Sequence, residues 1–172
     1  MREIPQIYQA LAAAYTELVD PSHLTFCAMT SEACRRVLAH FGIRAEVVAC
    51  QMVATTPAGE FTVGFMGERR PEKWDGHAAC VSDGWLFDGA LRHVSVGLGL
   101  HLPPCVVAPR ALDPAKGLIA ARDLAEAGVT LRWTAPPLGY TARVPRQPKW
   151  IIKPLTARLI TRVGILLKAG GL

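Results

Sequence analysis

The chain has 172 residues, 51% hydrophobic and 19% charged. That is one domain's worth of globular sequence and excludes an intrinsically disordered chain. No stretch approaches the roughly 18 unbroken apolar residues of a membrane-spanning helix, and Met1-Arg2-Glu3-Ile4-Pro5-Gln6 lacks the basic-then-apolar layout of a secretory signal, so a cytoplasmic location is expected. The net charge of +5 is uneven: residues 101–172 carry 11 Lys/Arg against 3 Asp/Glu, residues 1–100 carry 8 against 11, and no acid follows Glu126. A basic segment of this kind suits an anionic partner, or simply a solvated face.

Residues 4–19 place Ile4, Ile7, Tyr8, Leu11, Ala14, Tyr15 and Leu18 at the three-and-four spacing of an amphipathic helix, and Asp20-Pro21-Ser22 breaks it. A second helix is predicted from Cys27 to Phe41, with Phe26, Met29, Ala33, Val37 and Phe41 as its apolar stripe, Gly42 as its stop and Thr25 as its N-cap. Ile43 to Val53 alternates like a strand. Pro57-Ala58-Gly59-Glu60 turns the chain, Phe61 to Met66 reads as the returning strand, and the charged segment Gly67 to Asp75 as a loop. Gly76 to Asp88 is a hairpin with Asp83-Gly84 at its tip, a pair suited to a turn that needs positive φ. Further on, Gly97-x-Gly99 reads as a flexible turn, Asp113 to Ala127 as a helix, Val129 to Ala135 as a strand and Pro136 to Pro148 as a connector. Lys153 to Lys168 is a basic amphipathic helix.

The five cysteines, Cys27, Cys34, Cys50, Cys80 and Cys105, are odd in number and form no CxxC pair, which points to free thiols. Cys27 alone is predicted to open a helix. Unpaired N–H groups and the helix dipole favour a thiolate there, and the same groups can stabilise an oxyanion. In the hairpin, a two-residue turn sets Ser82 opposite Trp85, Val81 opposite Leu86, Cys80 opposite Phe87 and Ala79 opposite Asp88. His77 then shares a face with Asp88 as its diagonal neighbour, while Asp83 is stranded at the tip. Cys27, His77 and Asp88 thus form a candidate nucleophile, base and orienting acid. Trp74, Trp85, Trp133 and Trp150 could line a groove near the site or pack in the core, Trp74 and Trp85 being the candidate substrate-binding residues, and Gln51, His23 and Trp74 are candidates for a second oxyanion donor.

The run from Cys27 to Ala45 resembles the signature of the transglutaminase-like, papain-related superfamily, in which a catalytic cysteine opens a helix ending in a Gly-Ile-Pro-Ala-type turn. Gly76-His77-Ala78 resembles that family's His-Ala-Trp strand, and Leu86-Phe87-Asp88-Gly89 resembles the following strand ending in Asp-Pro-Thr. The resemblance covers about residues 20 to 95. Ala79 departs from the usual Trp, Gly89-Ala90 departs from Pro-Thr, and the hairpin is shorter, which bears on the substrate more than on the triad.

Other constellations carry less. His77-x-x-Cys80 and His101-x-x-x-Cys105 look like ligand pairs, but positions 77 and 80 of a strand face opposite ways, so neither a metal nor a cofactor is expected. Gly97-x-Gly99 lacks the setting and third glycine of a dinucleotide motif. The expectation is therefore a single α+β domain with a papain-like, transglutaminase-like core over residues 1–100, its N-terminal helices packed on an antiparallel sheet. Residues 101–172 would form a basic C-terminal extension of the same domain. The expected chemistry is thiol-dependent acyl transfer, chiefly hydrolysis of an amide or peptide bond in a peptide or small acyl substrate. The alternatives are acyl transfer to an amine, and a non-catalytic binding module whose basic segment holds an anionic partner.

Overall fold

Ala45–Thr56, rich in Val and Thr, builds a 12-residue strand, β1, on which the sheet is assembled. A computed structural model describes residues 4–67, 74–82, 84–111, 117–140 and 143–170, apart from the side chains of Leu24 and Thr25. The remaining strands are β2 (Gly59–Val63), β3 (His77–Ser82), β4 (Trp85–Asp88), β5 (Val106–Pro109), β6 (Leu118–Leu124) and β7 (Val129–Thr134). They run antiparallel in the order β5-β4-β3-β1-β7-β6, with β2 also on β1. An isolated bridge between Arg110 and Ala120 brings the two ends together, so the sheet is nearly closed.

The pairing of β1 changes along its length. Ala45 to Cys50 pair with β3, Cys50 lying opposite His77. From Met52 onward the same side pairs with β2, while Gln51 to Thr55 pair with β7 on the other side. His77 therefore sits at the seam where β1 exchanges one neighbour for another.

Three helices cover one face: α1 (Gln6–Leu18), α2 (Cys27–His40) and α4 (Lys149–Ala169). Tyr15, Leu38, Phe87, Val107 and Leu159 are among the side chains buried between them and the sheet. A second cluster, with Met52, Leu86, Val94, Leu131 and Trp133, fills the other side under α3 (Arg92–Leu98). All residues of β3 and β4 are buried, as expected for strands covered on both faces.

Several sequence expectations are corrected. A strand replaces most of the helix expected through residue 127: Leu118–Leu124 is β6, paired to β7, and only Ala125–Ala127 forms a 3-10 turn. The sheet's need for a partner to β7 overrides local helix preference; residues 112–116, within and just ahead of that expected helix, lie outside the described residues. Gly97 lies inside α3 and Gly99 caps it in the left-handed conformation, so this pair is a helix end and not a flexible turn. Phe26 occupies the cap position of α2 and supplies no side-chain capping bond; the Thr25 side chain expected there, like Asp83 and residues 68–73 of the loop, lies outside the described residues. β5, β6 and β7 complete the sheet, and α4 begins at Lys149, carries Pro154 within its first turns, and buries Ile152, Leu155, Leu159 and Val163 in the core shared with α1 and α2.

Truncating α4's buried face should thus destabilise the domain as readily as truncating α1. Leu159→Ala is expected to cost about 2–5 kcal/mol, against less than about 0.5 kcal/mol for Leu138→Ala, whose side chain is fully exposed. Urea denaturation of the two variants checks this.

Candidate active site

The hairpin register follows the sequence expectation: Cys80 faces Phe87, Val81 faces Leu86 and Ser82 faces Trp85. One step beyond, His77 Nε2 meets Asp88 Oδ2 at 2.5 Å, with both side chains buried. Asp88 has two further donors. Trp133 Nε1 donates to Oδ2 at 2.6 Å, and the Ala90 backbone N–H donates to Oδ1 at 2.9 Å. A carboxylate that accepts from a tryptophan and an amide is held ionised. His77 Nε2 therefore carries a hydrogen and donates it, which leaves Nδ1 as the ring nitrogen available to a second partner.

Cys27 is a near enough neighbour of the His77 ring to help raise its pKa, and its Sγ lies 4.0 Å from the Gly76 carbonyl oxygen. Three elements therefore converge: α2 supplies the thiol from its first residue, β3 the imidazole and β4 the carboxylate. Cys27 is half-buried, whereas His77 and Asp88 are screened behind it. Ser31 Oγ, one turn along α2, donates to the Ala78 carbonyl at 3.0 Å and pins the helix to β3.

Burial by itself would lower the His77 pKa, but the Asp88 charge and hydrogen bond outweigh it, with Cys27 adding to them, and raise it from 6.5 to about 10. Burial would likewise raise Asp88, yet His77, Trp133 and Ala90 together pull it below 3.8. The two side chains form an ion pair across the neutral range. The other four thiols are buried, and burial pushes each upward: Cys80 and Cys105 to about 12, Cys34 and Cys50 well above 9.0.

An aromatic group packs beside Gly76, the residue before His77. Phe65 packs edge-on against Trp74, with ring centroids 5.8 Å apart, and against Tyr140 at 5.2 Å. Phe65 has φ +58, a strained conformation for a non-glycine residue. It is held by its N–H bond to the Asp75 carbonyl and by its two ring neighbours. Gly64 before it, at φ +88, lies so close that a Cβ would stand 2.5 Å from the His77 amide nitrogen; a Cβ on Gly76 would meet the Phe65 ring at 2.5 Å. Gly64 accepts only glycine, and a side chain at Gly76 would have to displace the Phe65 and Trp74 rings.

The remaining candidates are placed as follows. Trp74 stands beside the site. Trp85 does not: it is 3% exposed and stacks near Tyr8 beneath α1, a packing role imposed by its place opposite Ser82. Gln51 Nε2 donates to the Gly64 carbonyl at 3.0 Å, next to the seam. His23 packs by Phe26, just ahead of α2. His77 and Cys80 fall on opposite sides of β3, and among the described residues no three His, Cys, Asp or Glu side chains converge as metal ligands. Sequence reasoning offered Trp133 as a groove-lining or core residue but not as a donor to Asp88, and missed Ala90, Phe65 and Tyr140; the positive-φ demand at Phe65 and the cross-sheet reach of Trp133 have no local signature.

The chain matches no protein-family model, no curated protein and no solved structure. No helix among the described residues is long and apolar enough to cross a membrane.

The buried pair makes stability depend on pH. Because the folded-state pKa of His77 lies above its unfolded value, its contribution is fully present below about pH 6.5 and is lost as pH rises through about 10. Denaturation midpoints of the wild type and His77→Gln should therefore converge between pH 6 and pH 10, by at least about 1.4 kcal/mol, the equivalent of one pKa unit. At neutral pH, Asp88→Ala strands the His77 and Trp133 N–H groups and should cost about 3–5 kcal/mol, with Asp88→Asn losing less.

Proposed function

We propose that this protein is a cysteine-dependent acyl-transfer enzyme that hydrolyses an amide or peptide bond, on a core of papain-like, transglutaminase-like character. The observation that carries this reading is the buried Asp88–His77 pair whose second ring nitrogen is left to the Cys27 thiol at a helix N-terminus. A buried ion pair is expensive to keep for stability alone, and its alignment on a half-exposed thiol supplies a reason for it.

In the proposed reaction His77 Nδ1 holds the proton taken from Cys27, and the thiolate attacks the substrate carbonyl carbon. The tetrahedral oxyanion lies against the open first turn of α2, whose N–H groups have no side-chain cap from Phe26. His77 then gives its proton to the departing amine as the C–N bond breaks, leaving a thioester on Cys27. Water enters, His77 Nδ1 takes its proton, and hydroxide adds to the thioester carbonyl. Collapse of that intermediate breaks the C–S bond and releases the carboxylic acid, with the thiolate again beside the imidazolium. Asp88 stays ionised throughout and stabilises the imidazolium.

Iodoacetamide at neutral pH should modify Cys27 well ahead of the four buried thiols, as read by peptide mass spectrometry. Cys27→Ala should keep the circular dichroism spectrum while reducing hydrolysis of activated esters and peptide amides by about 10³-fold or more. A Cys27 no faster than a free peptide thiol, together with a wild type indistinguishable from Cys27→Ala, would instead mark a binding module. Product formed on an added amine in preference to water would make the enzyme a transferase.

A further inference from the structure

Beside the nucleophile, a cleft of about 380 Å³ runs along α2 under the connector that leads into α4. Its floor is Ala28, the covalent neighbour of Cys27, followed by Glu32 and Arg36 one and two turns on, with Val47 of β1; Arg146 and Lys149 form its roof. Glu32 is the cleft's one acid, and it is already satisfied. Its Oε2 pairs with Arg35 at 2.7 Å and its Oε1 with Arg36 at 2.7 Å, and the Arg35 hydrogen bond, ahead of its burial and the Arg36 bond, holds it below the ordinary range for a glutamate. Arg146 and Lys149 are exposed, and among the described residues no carboxylate pairs with either. No acid follows Glu126 in the chain that could be recruited locally. The cleft, which begins at the residue after Cys27, thus offers two unspent cations.

We infer that this cleft is a subsite for a carboxylate-bearing substrate, so that the enzyme acts on acidic peptide-like acyl donors whose side-chain carboxylate is held by Arg146 and Lys149. The inference rests on the acyl-transfer reading and gives it a substrate class. Arg146 has the planar donor fork that suits a carboxylate, and Lys149 adds a point charge at the first residue of α4. Val47 and Ala28 supply an apolar floor for the methylene stem.

The test is affinity labelling of Cys27 in the intact chain by the α-amides of bromoacetyl-glutamate and bromoacetyl-glutamine, so that the side-chain carboxylate is the one charge by which the reagents differ. In the wild type, Cys27 should react about fivefold faster with the glutamate reagent, since two exposed charge pairs are each worth a few-fold. Arg146→Gln/Lys149→Gln should bring that ratio to about one. The preference should shrink at high salt. Lys153→Gln/Lys168→Gln, which removes the same charge elsewhere on α4, should keep the wild-type ratio. Fast labelling with an equal ratio in the wild type and Arg146→Gln/Lys149→Gln would overturn the subsite and leave the acyl-transfer reading standing. A fall of equal size in both double variants would overturn it in favour of the segment's general field. Labelling at the rate of a free peptide thiol by both reagents would overturn the acyl-transfer reading and this inference with it.

Discussion

The constraint on which the rest of the structure turns is the burial of one ionised carboxylate. Asp88 is wholly buried, and removing a carboxylate from water costs several kcal/mol unless every lone pair finds a donor. Here three donors arrive from three places: the His77 ring from β3, the Ala90 amide from the turn after β4, and the Trp133 indole from β7. Asp88 can be both buried and charged only if β3, β4 and β7 are all in their final positions. The site is therefore assembled by completion of the sheet, and cannot be a surface feature added to a finished fold. Tyr15 of α1 reinforces the turn by donating to the Gly89 carbonyl at 2.6 Å, tying the helical layer to the same few residues.

The thiol is treated differently from the acid and the base. Cys34, Cys50, Cys80 and Cys105 lie in the interior, where burial favours the neutral thiol and makes them small apolar residues. Cys27 stands at the start of a helix with part of its surface open, near an imidazole that the carboxylate behind it keeps protonated. One fold thus silences four thiols by desolvation and leaves the fifth beside a cation. The contrast between neighbours of identical chemistry gives the proposed reaction its selectivity for a single sulfur.

What could be read from the sequence was whatever depends on nearest neighbours along the chain. The 2-residue periodicity of a strand and one Asp-Gly turn are enough to set His77 and Asp88 on a common face, because both lie within one hairpin. The helix start at Cys27 was legible for the same reason. Trp133 was visible only as one tryptophan of four, since its bond to Asp88 spans 45 positions and depends on β7 having crossed to β1. The segment before residue 125 has the composition of a helix and becomes a strand because β7 has an unpaired edge to satisfy. Trp85 misled in the opposite way: proximity in the hairpin placed it near the pair, but alternation turned its ring into the core beneath α1.

The position of the site at the seam in β1 explains the strain around it. A strand that changes partners from β3 to β2 has to pass two chain ends through one gap, and Gly64 and His77 meet there at a distance that admits no Cβ. Phe65, forced into a left-handed conformation immediately afterward, costs of the order of 1–3 kcal/mol, offset by its edge-on contacts with Trp74 and Tyr140. A continuous ladder at this point would have avoided the strain but would also have paired over the end of β3. By breaking the ladder there, the fold leaves the Gly76 carbonyl and the His77 ring open to a helix terminus approaching from another layer. The seam is thus what lets a residue from α2 and a pair from the sheet share one site.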